Sequence, residues 1–209
     1  NYDGVRMIIY LCANTSWYLY NFRRNLIRTL IERGHSVTTI APHDRFSKKL
    51  QKLGCKTFPI YIDNKGTNPL RDIRTFVRYF FLYLRARPDV IANFTIKPVI
   101  YSSLSASFFR IKTINTITGL GTAFLSESHV KSIVQWLFRL SLRRSKTVYF
   151  QNKDDKFVFL DSNLVNKDQA VLIHGSGVDL THFSFKPLAN ESTHRFVLIS
   201  RMLWDKGIG

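Results

Sequence analysis

The residues best suited to chemistry are cations and glycines, and that pairing suits phosphate. In "NFTIKPVIY" (93–101) Lys97 stands just before a helix that begins near Pro98. A cation beside helical N–H groups is a phosphate-binding arrangement; the plainer alternative is a solvated lysine at a helix start. "ITGLGTAFLSES" (117–128) carries Gly119 and Gly121, which let backbone approach a ligand closely or simply make a turn. In "FQNKDD" (150–155) Asn152 or Asp154 suits the cap of a following helix. "HGSGVDLTHF" (174–183) sets Gly175 and Gly177 around Ser176, as a hinge or a ligand-facing loop. "FVLISRMLWDKGIG" (196–209) runs from an apolar segment through Arg201 to Lys206, the pattern of a strand entering a loop that opens a helix.

Other chemistries find no support. The loop after the first apolar run has no G-x-G-x-x-G, so a dinucleotide site of that type is not expected, and there is no P-loop and no G-x-S-x-G elbow. No Cys/His spacing of a metal site occurs. Cys12 and Cys55 lie in apolar strand-like runs and read as buried free thiols of a cytosolic protein. The 31 basic residues against 14 acidic, a net +17, call for an anionic partner: nucleic acid, an acidic membrane surface or phosphorylated ligands. No apolar run reaches the roughly 18 residues of a bilayer span, and no signal peptide is expected.

These loops must be held by something, and the patterning says what. Strand-length apolar runs at 5–14, 35–42, 55–62, 89–94, 112–119, 146–152 and 169–175 alternate with amphipathic stretches at 20–34, 45–54, 68–87, 98–109, 130–144 and 154–163. Near-continuous apolar strands in regular alternation predict an α/β fold: a Rossmann-like, doubly wound parallel sheet with helices on both faces. Ligands then bind at the carboxyl ends of the strands, where the loops above fall. Residues 1–175 read as this domain, the polar stretch 176–195 as a linker, and 196–209 as one more strand, the first of a further domain largely absent from the chain.

The helix expected over 68–87 adds an independent signal. At about 100° per residue, Arg71, Arg74, Arg78 and Arg85 share one side and Ile73, Val77, Phe80 and Leu84 the opposite one. Phe81 and Leu82 lie nearer the basic stripe, and Tyr79 and Tyr83 flank it. The stripe is either a solvated face or a surface for an anionic bilayer, with Arg139, Arg143, Arg144 and Lys146 as an extension.

The segments "TIKP" (95–98), "ITGLGTAF" (117–124), "FQNKDD", "HGSGVDLTHF" and "ISRMLWDKGI" (199–208), in this order and spacing, resemble retaining glycosyltransferases of family 4, of the capsular-polysaccharide and O-antigen type. The resemblance covers nearly the whole chain. It implies GT-B architecture, two Rossmann-like domains with the active site in the cleft between, of which this chain would be the acceptor-side domain, the linker and the first strand of the donor domain. It implies that Arg201 and Lys206 grip the diphosphate of a nucleotide-sugar, UDP-sugar being the expected donor, without a metal or other cofactor. Paired cations there stabilise the charge that grows on the leaving phosphate. It further implies that Lys97, Thr95 and the Gly119–Gly121 loop face the acceptor or its phosphate, that Gly175–Gly177 form the interdomain turn, and that the acceptor is a saccharide on a polyprenyl diphosphate at the inner face of the cytoplasmic membrane of a bacterium.

The sequence departs from the family where many relatives carry a histidine. It reads Asn93-Phe94-Thr95 in one such place and Thr118 in the other, so no residue is assigned as catalytic base. The paired glutamates of the family's later acidic motif have no counterpart within 209 residues, and the chain alone is expected to be inactive. A basic nucleic-acid-binding protein is the rival reading, though no recognition helix, RNP or zinc-finger pattern occurs. A non-catalytic sugar-nucleotide-binding domain is the second.

Overall fold

The computed structural model describes residues 5–63, 68–120, 129–187 and 196–199, without the side chains of 129 and 130. Seven parallel strands form one sheet: β1 (Ile8–Cys12), β2 (Ser36–Ala41), β3 (Lys56–Pro59), β4 (Val90–Phe94), β5 (Lys112–Ile117), β6 (Thr147–Phe150) and β7 (Ala170–Leu172), in the order β3-β2-β1-β4-β5-β6-β7. The crossovers are α1 (Ser16–Glu32), α2 (Ser47–Lys52), α3 (Pro69–Ala86), α4 (Ile96–Phe108), α5 (His129–Leu142) and α6 (Lys153–Asp161). The expected α/β doubly wound sheet is therefore present. The strand order reverses between β1 and β4, which opens a crevice at their carboxyl ends.

Caps explain the helix boundaries. α1 begins four residues earlier than the periodicity suggests, because the Thr15 hydroxyl accepts the Tyr18 N–H at 3.1 Å. Gly34, at φ +83°, takes the chain out of that helix in a conformation that strains any residue with a Cβ. Asn68 caps α3 ahead of Pro69, and Asn152 caps α6 by accepting the Asp155 N–H at 2.7 Å. α4 starts at Ile96 rather than near Pro98, since a proline in the first turn loses an N–H that has no helical partner anyway.

The two faces of the sheet differ. Ile91, Asn93, Thr113, Asn115, Val148 and Phe150 are buried on the side of α3, α4, α5 and α6. Five polar side chains there form one ladder. Asn93 Nδ2 donates to Ser103 Oγ and Asn115 Oδ1, both at 3.0 Å, the Ser103 hydroxyl donates to Asn115 Oδ1, and Asn115 Nδ2 donates to Ser145 Oγ at 2.7 Å, with Thr113 beside it. Pairing at these depths specifies register, because a one-residue slip would orphan every member. On the other face α1 and α2 cover β1, β2 and β3. Among the described residues no helix covers β5, β6 and β7 there, and the expectation of helices on both faces holds for only half of the sheet.

The chain divides into two compact units, residues 1–177 and 178–209. In the second, Asp179 Oδ1 accepts the N–H groups of Thr181 and His182 and the Thr181 hydroxyl, building a local turn. Residues 196–199 lie in no strand; a strand requires a neighbouring ladder, and none pairs with them among the described residues.

Candidate functional site

Among the described residues of the first unit, the segments singled out after β4, β5, β6 and β7 lie at the carboxyl edge of the sheet. At the crevice between β1 and β4, the Asn14 N–H donates to Thr95 Oγ1 at 3.1 Å. Thr95 holds φ +72°, ψ 152°, a region in which a β-branched residue is an outlier. Such strain persists only where surrounding contacts over-determine it, and it clusters at functional sites. The Asn14 bond is one such contact, and the immediate entry into α4 is another. Asn14 carries no motif and was missed by sequence reasoning; its place beside the strand-order reversal is the signal that finds it.

Lys97 lies in the first turn of α4. Its Nζ is 2.6 Å from Asp72 Oδ1 in the first turn of α3, and both side chains are largely buried. The pair ties two helix starts together. A phosphate reaching this lysine would have to compete with a carboxylate that already neutralises it. Tyr101, one turn further along α4, has its hydroxyl pushed well above the usual range by burial and then by the Asp72 carboxylate, so it stays protonated. Asp72 was not among the expected site residues, because on the helical wheel it looks like an ordinary first-turn acid.

Gly119 sits after β5 at φ +148° with open space where a Cβ would point. Its partner in the motif, Gly121, lies outside the described residues, as do Arg201 and Lys206. Gly175 and Gly177 hold φ +77° and +74°, and Gln151 Nε2 donates to Ser176 Oγ at 3.0 Å, joining the loops after β6 and β7. Asn152 serves as the cap that its position suggested. Among the described residues no group of three His, Cys, Asp or Glu side chains could hold a metal. Cys12 and Cys55 are free and buried as expected, and burial pushes the Cys12 thiol up to about 12.

The basic stripe on α3 needs a correction. The buried line is Thr75, Tyr79 and Tyr83, not Ile73, Val77 and Leu84. Tyr83 Oη lies 2.7 Å from Ser102 Oγ and 3.5 Å from Cys12 Sγ, so the helix docks through hydroxyls as well as rings. The wheel assigned the most apolar arc to the core, but α3 docks through a line about 130° round the helix from that arc. Ile73, Phe81 and Leu84 are therefore exposed, at 57%, 51% and 43%, alongside Arg74, Arg78 and Arg85. Arg71 pairs with Asp63 at 2.8 Å. Arg139 and Arg144, expected to extend the patch, donate to backbone carbonyls of Ser162 and Asn163 and of Ser107. α5 exposes Ile133 and Trp136. Among the described residues no helix is long and apolar enough to cross a membrane.

Residues 8–152 match the family described as "Glycosyl transferase 4-like". The chain is 22% identical over 207 residues to the Campylobacter jejuni N,N'-diacetylbacillosaminyl-diphospho-undecaprenol alpha-1,3-N-acetylgalactosaminyltransferase, covering 91% of this chain and 55% of that protein. Its fold resembles a glycosyltransferase from Rickettsia africae, with a TM-score of 0.61 at 17% identity over 86% of this chain and 45% of the other. It also resembles Anabaena Alr3699/HepE in complex with UDP-glucose, with a TM-score of 0.58 at 12% identity over 87% and 47%. The chain spans about half the length of these relatives. With 145 of its 209 residues matched (8–152), and a sheet, switch point and carboxyl-edge loops to suit, the chain belongs to the glycosyl transferase 4-like family.

Proposed function

We propose that this chain is the acceptor-side part of a retaining GT-B glycosyltransferase that moves a sugar from a nucleotide-sugar, UDP-sugar in the first instance, to a saccharide on a polyprenyl diphosphate during surface-polysaccharide synthesis. It works peripherally on the inner face of the cytoplasmic membrane. Arg201 and Lys206 take the donor diphosphate, and Thr95, Lys97 and the Gly119–Gly121 loop face the acceptor. Family membership supports glycosyl transfer, and the name of the Campylobacter relative supports a lipid-linked acceptor.

The observation that carries the membrane reading is the outward face of α3. Three arginines alternate with exposed Ile73, Val77, Phe81 and Leu84, and apolar side chains stay at 39–57% exposure. Arginines attract anionic headgroups while aromatic and aliphatic side chains enter the interface. A merely solvated basic face has no use for the second set.

The test is sedimentation of the 209-residue chain with phosphatidylglycerol-containing vesicles, with phosphatidylcholine vesicles, and with random duplex DNA at matched salt. We expect binding to the anionic vesicles, weakened about tenfold or more in the triple variant Arg74→Gln, Arg78→Gln, Arg85→Gln. Tight DNA binding with no vesicle binding overturns the membrane reading. Turnover of UDP-sugars onto a polyprenyl-diphosphate saccharide by the 209 residues alone would overturn the assignment of donor chemistry to a further domain.

A further inference from the structure

Trp17 occupies the second position of α1, three residues past Asn14, whose N–H bonds Thr95 at the crevice. Its side chain is large and apolar, yet the residue is 44% exposed. Local preference does not ask for a tryptophan there, because the first turn of a helix favours acids and small polar residues. α1 has no acid in that turn. A large exposed apolar side chain at a polar edge is the kind of observation that needs a reason. Trp136, the other tryptophan among the described residues, lies in the second half of α5, away from this edge.

The backbone under the indole is fixed from several sides. The Trp17 N–H donates to Asp44 Oδ2 at 3.0 Å, and the Trp17 carbonyl accepts Asn21 Nδ2 at 2.9 Å. Asp44 is held in turn: its Oδ1 accepts the Phe46 N–H at 2.7 Å, and its own N–H donates to Ser47 Oγ at 3.1 Å. Ser16, next to Trp17, donates its hydroxyl to the Pro42 carbonyl at 3.0 Å. The loops after β1 and β2 are thus clasped around the start of α1.

The ring is braced as well. Phe22 meets the indole in a T-shaped contact, with centroids 5.5 Å apart and planes at 80°. Phe22 packs on Tyr18 at 5.1 Å, and Tyr18 on Phe94 of β4 at 6.2 Å. Arg23 locks this row, its guanidinium 4.4 Å from the Phe94 centroid and its Nη2 donating to Tyr18 Oη at 3.0 Å. The row runs from the residue before the strained Thr95 out to the indole. An exposed aromatic ring whose backbone and neighbours are already fixed loses little further freedom when it binds.

We propose that Trp17 is the stacking platform for the terminal sugar of the acceptor, its indole lying against the C–H face of a pyranose ring. The inference rests on the acceptor reading above and goes beyond it by naming a residue that recognises the saccharide rather than the phosphates. A pyranose presents C–H groups on one face and hydroxyls around its rim. An aromatic ring covers the first and leaves the second to water and polar groups. The indole carries no charge, so it reads the sugar and is indifferent to the diphosphate.

The experiment uses the full 209-residue chain and four soluble probes: farnesyl diphosphate, and farnesyl diphosphate carrying N-acetylglucosamine, N-acetylgalactosamine or galactose. Binding is read by calorimetry. The indole is followed by fluorine NMR of the chain labelled with fluorotryptophan, its resonance assigned with Trp17→Phe. At least one sugar-bearing probe should bind about five- to tenfold tighter than farnesyl diphosphate and move the Trp17 resonance. Trp17→Ala should erase that difference, and Trp17→Phe should keep most of it. Neither should change the affinity for farnesyl diphosphate, the urea midpoint or sedimentation with phosphatidylglycerol vesicles. The proposal is overturned if the sugar-bearing probes bind no tighter than farnesyl diphosphate, if the Trp17 resonance does not move, or if Trp17→Ala weakens all four probes alike. It is equally overturned if Trp17→Ala abolishes vesicle sedimentation, which would make the indole a membrane anchor. Failure of every probe to bind overturns the acceptor reading and this proposal with it. A chain that binds farnesyl diphosphate but ignores the sugar overturns this proposal alone.

Discussion

The two halves of the sheet, β1–β2 and β5–β7, share a strand direction and a helix layer yet differ in what covers their second face. In β2 every residue from Val37 to Ala41 is buried, because α1 and α2 lie on one side and α3 on the other. In β6 the pattern alternates: Val148 and Phe150 are fully buried, while Thr147 and Tyr149 are not. The sequence "TVYF" suits either situation, since threonine and tyrosine pack well on half-buried pleated surface. Burial is thus a property of the neighbour.

The largest expected effect tests this directly. Ile40→Ala in the doubly covered half should cost about 3 kcal/mol, and Val171→Ala in the open half less than about 1 kcal/mol, by urea denaturation. Equal costs would break the comparison.

An intermediate effect comes from alkali. Tyr10, Cys12, Tyr79 and Tyr83 all belong to the doubly covered half, and burial raises each of them above its ordinary value. The folded state therefore keeps protons that the unfolded chain releases. Stability should be constant below about pH 9 and fall as pH climbs towards 12, the Cys12 value. The urea midpoint at about pH 9.5 should drop by an amount equivalent to on the order of 1–2 kcal/mol relative to pH 8. A flat profile would mean that these hydroxyls and the thiol are wetter than the packing indicates.

The smallest effect sharpens the comparison at the rim of the open face. Arg87→Gly, at the left-handed cap of α3, should stabilise the chain by about 0.5–1 kcal/mol in the same denaturation measurement. A gain there means that arginine is kept at the rim against local conformational preference.

Much of the frame was legible in the chain. The strand runs and helical stretches were found because they are long and periodic, and Asn68-Pro69 and Gly34 announced their boundaries correctly. The family followed from five short motifs in register. The errors came where two elements meet. The wheel for 68–87 shows which residues share a side, but not which side α4 approaches. What the sequence did not show at Lys97 is its partner, since nothing in the local sequence announces Asp72, 25 residues earlier. Arg23 looked like one arginine among many on α1, since only the fold lays it over Phe94, 71 residues away in the chain.

Local periodicity, capping residues and motif spacing were enough to determine an α/β domain, its parallel sheet and its family, because each is written within a few neighbouring residues. The tertiary structure alone decided the strand order, the buried line of α3, the Lys97–Asp72 pair, and the half-open face with its buried Arg23. These depend on long-range packing, in which any apolar stripe has several possible neighbours and only the assembled core selects one.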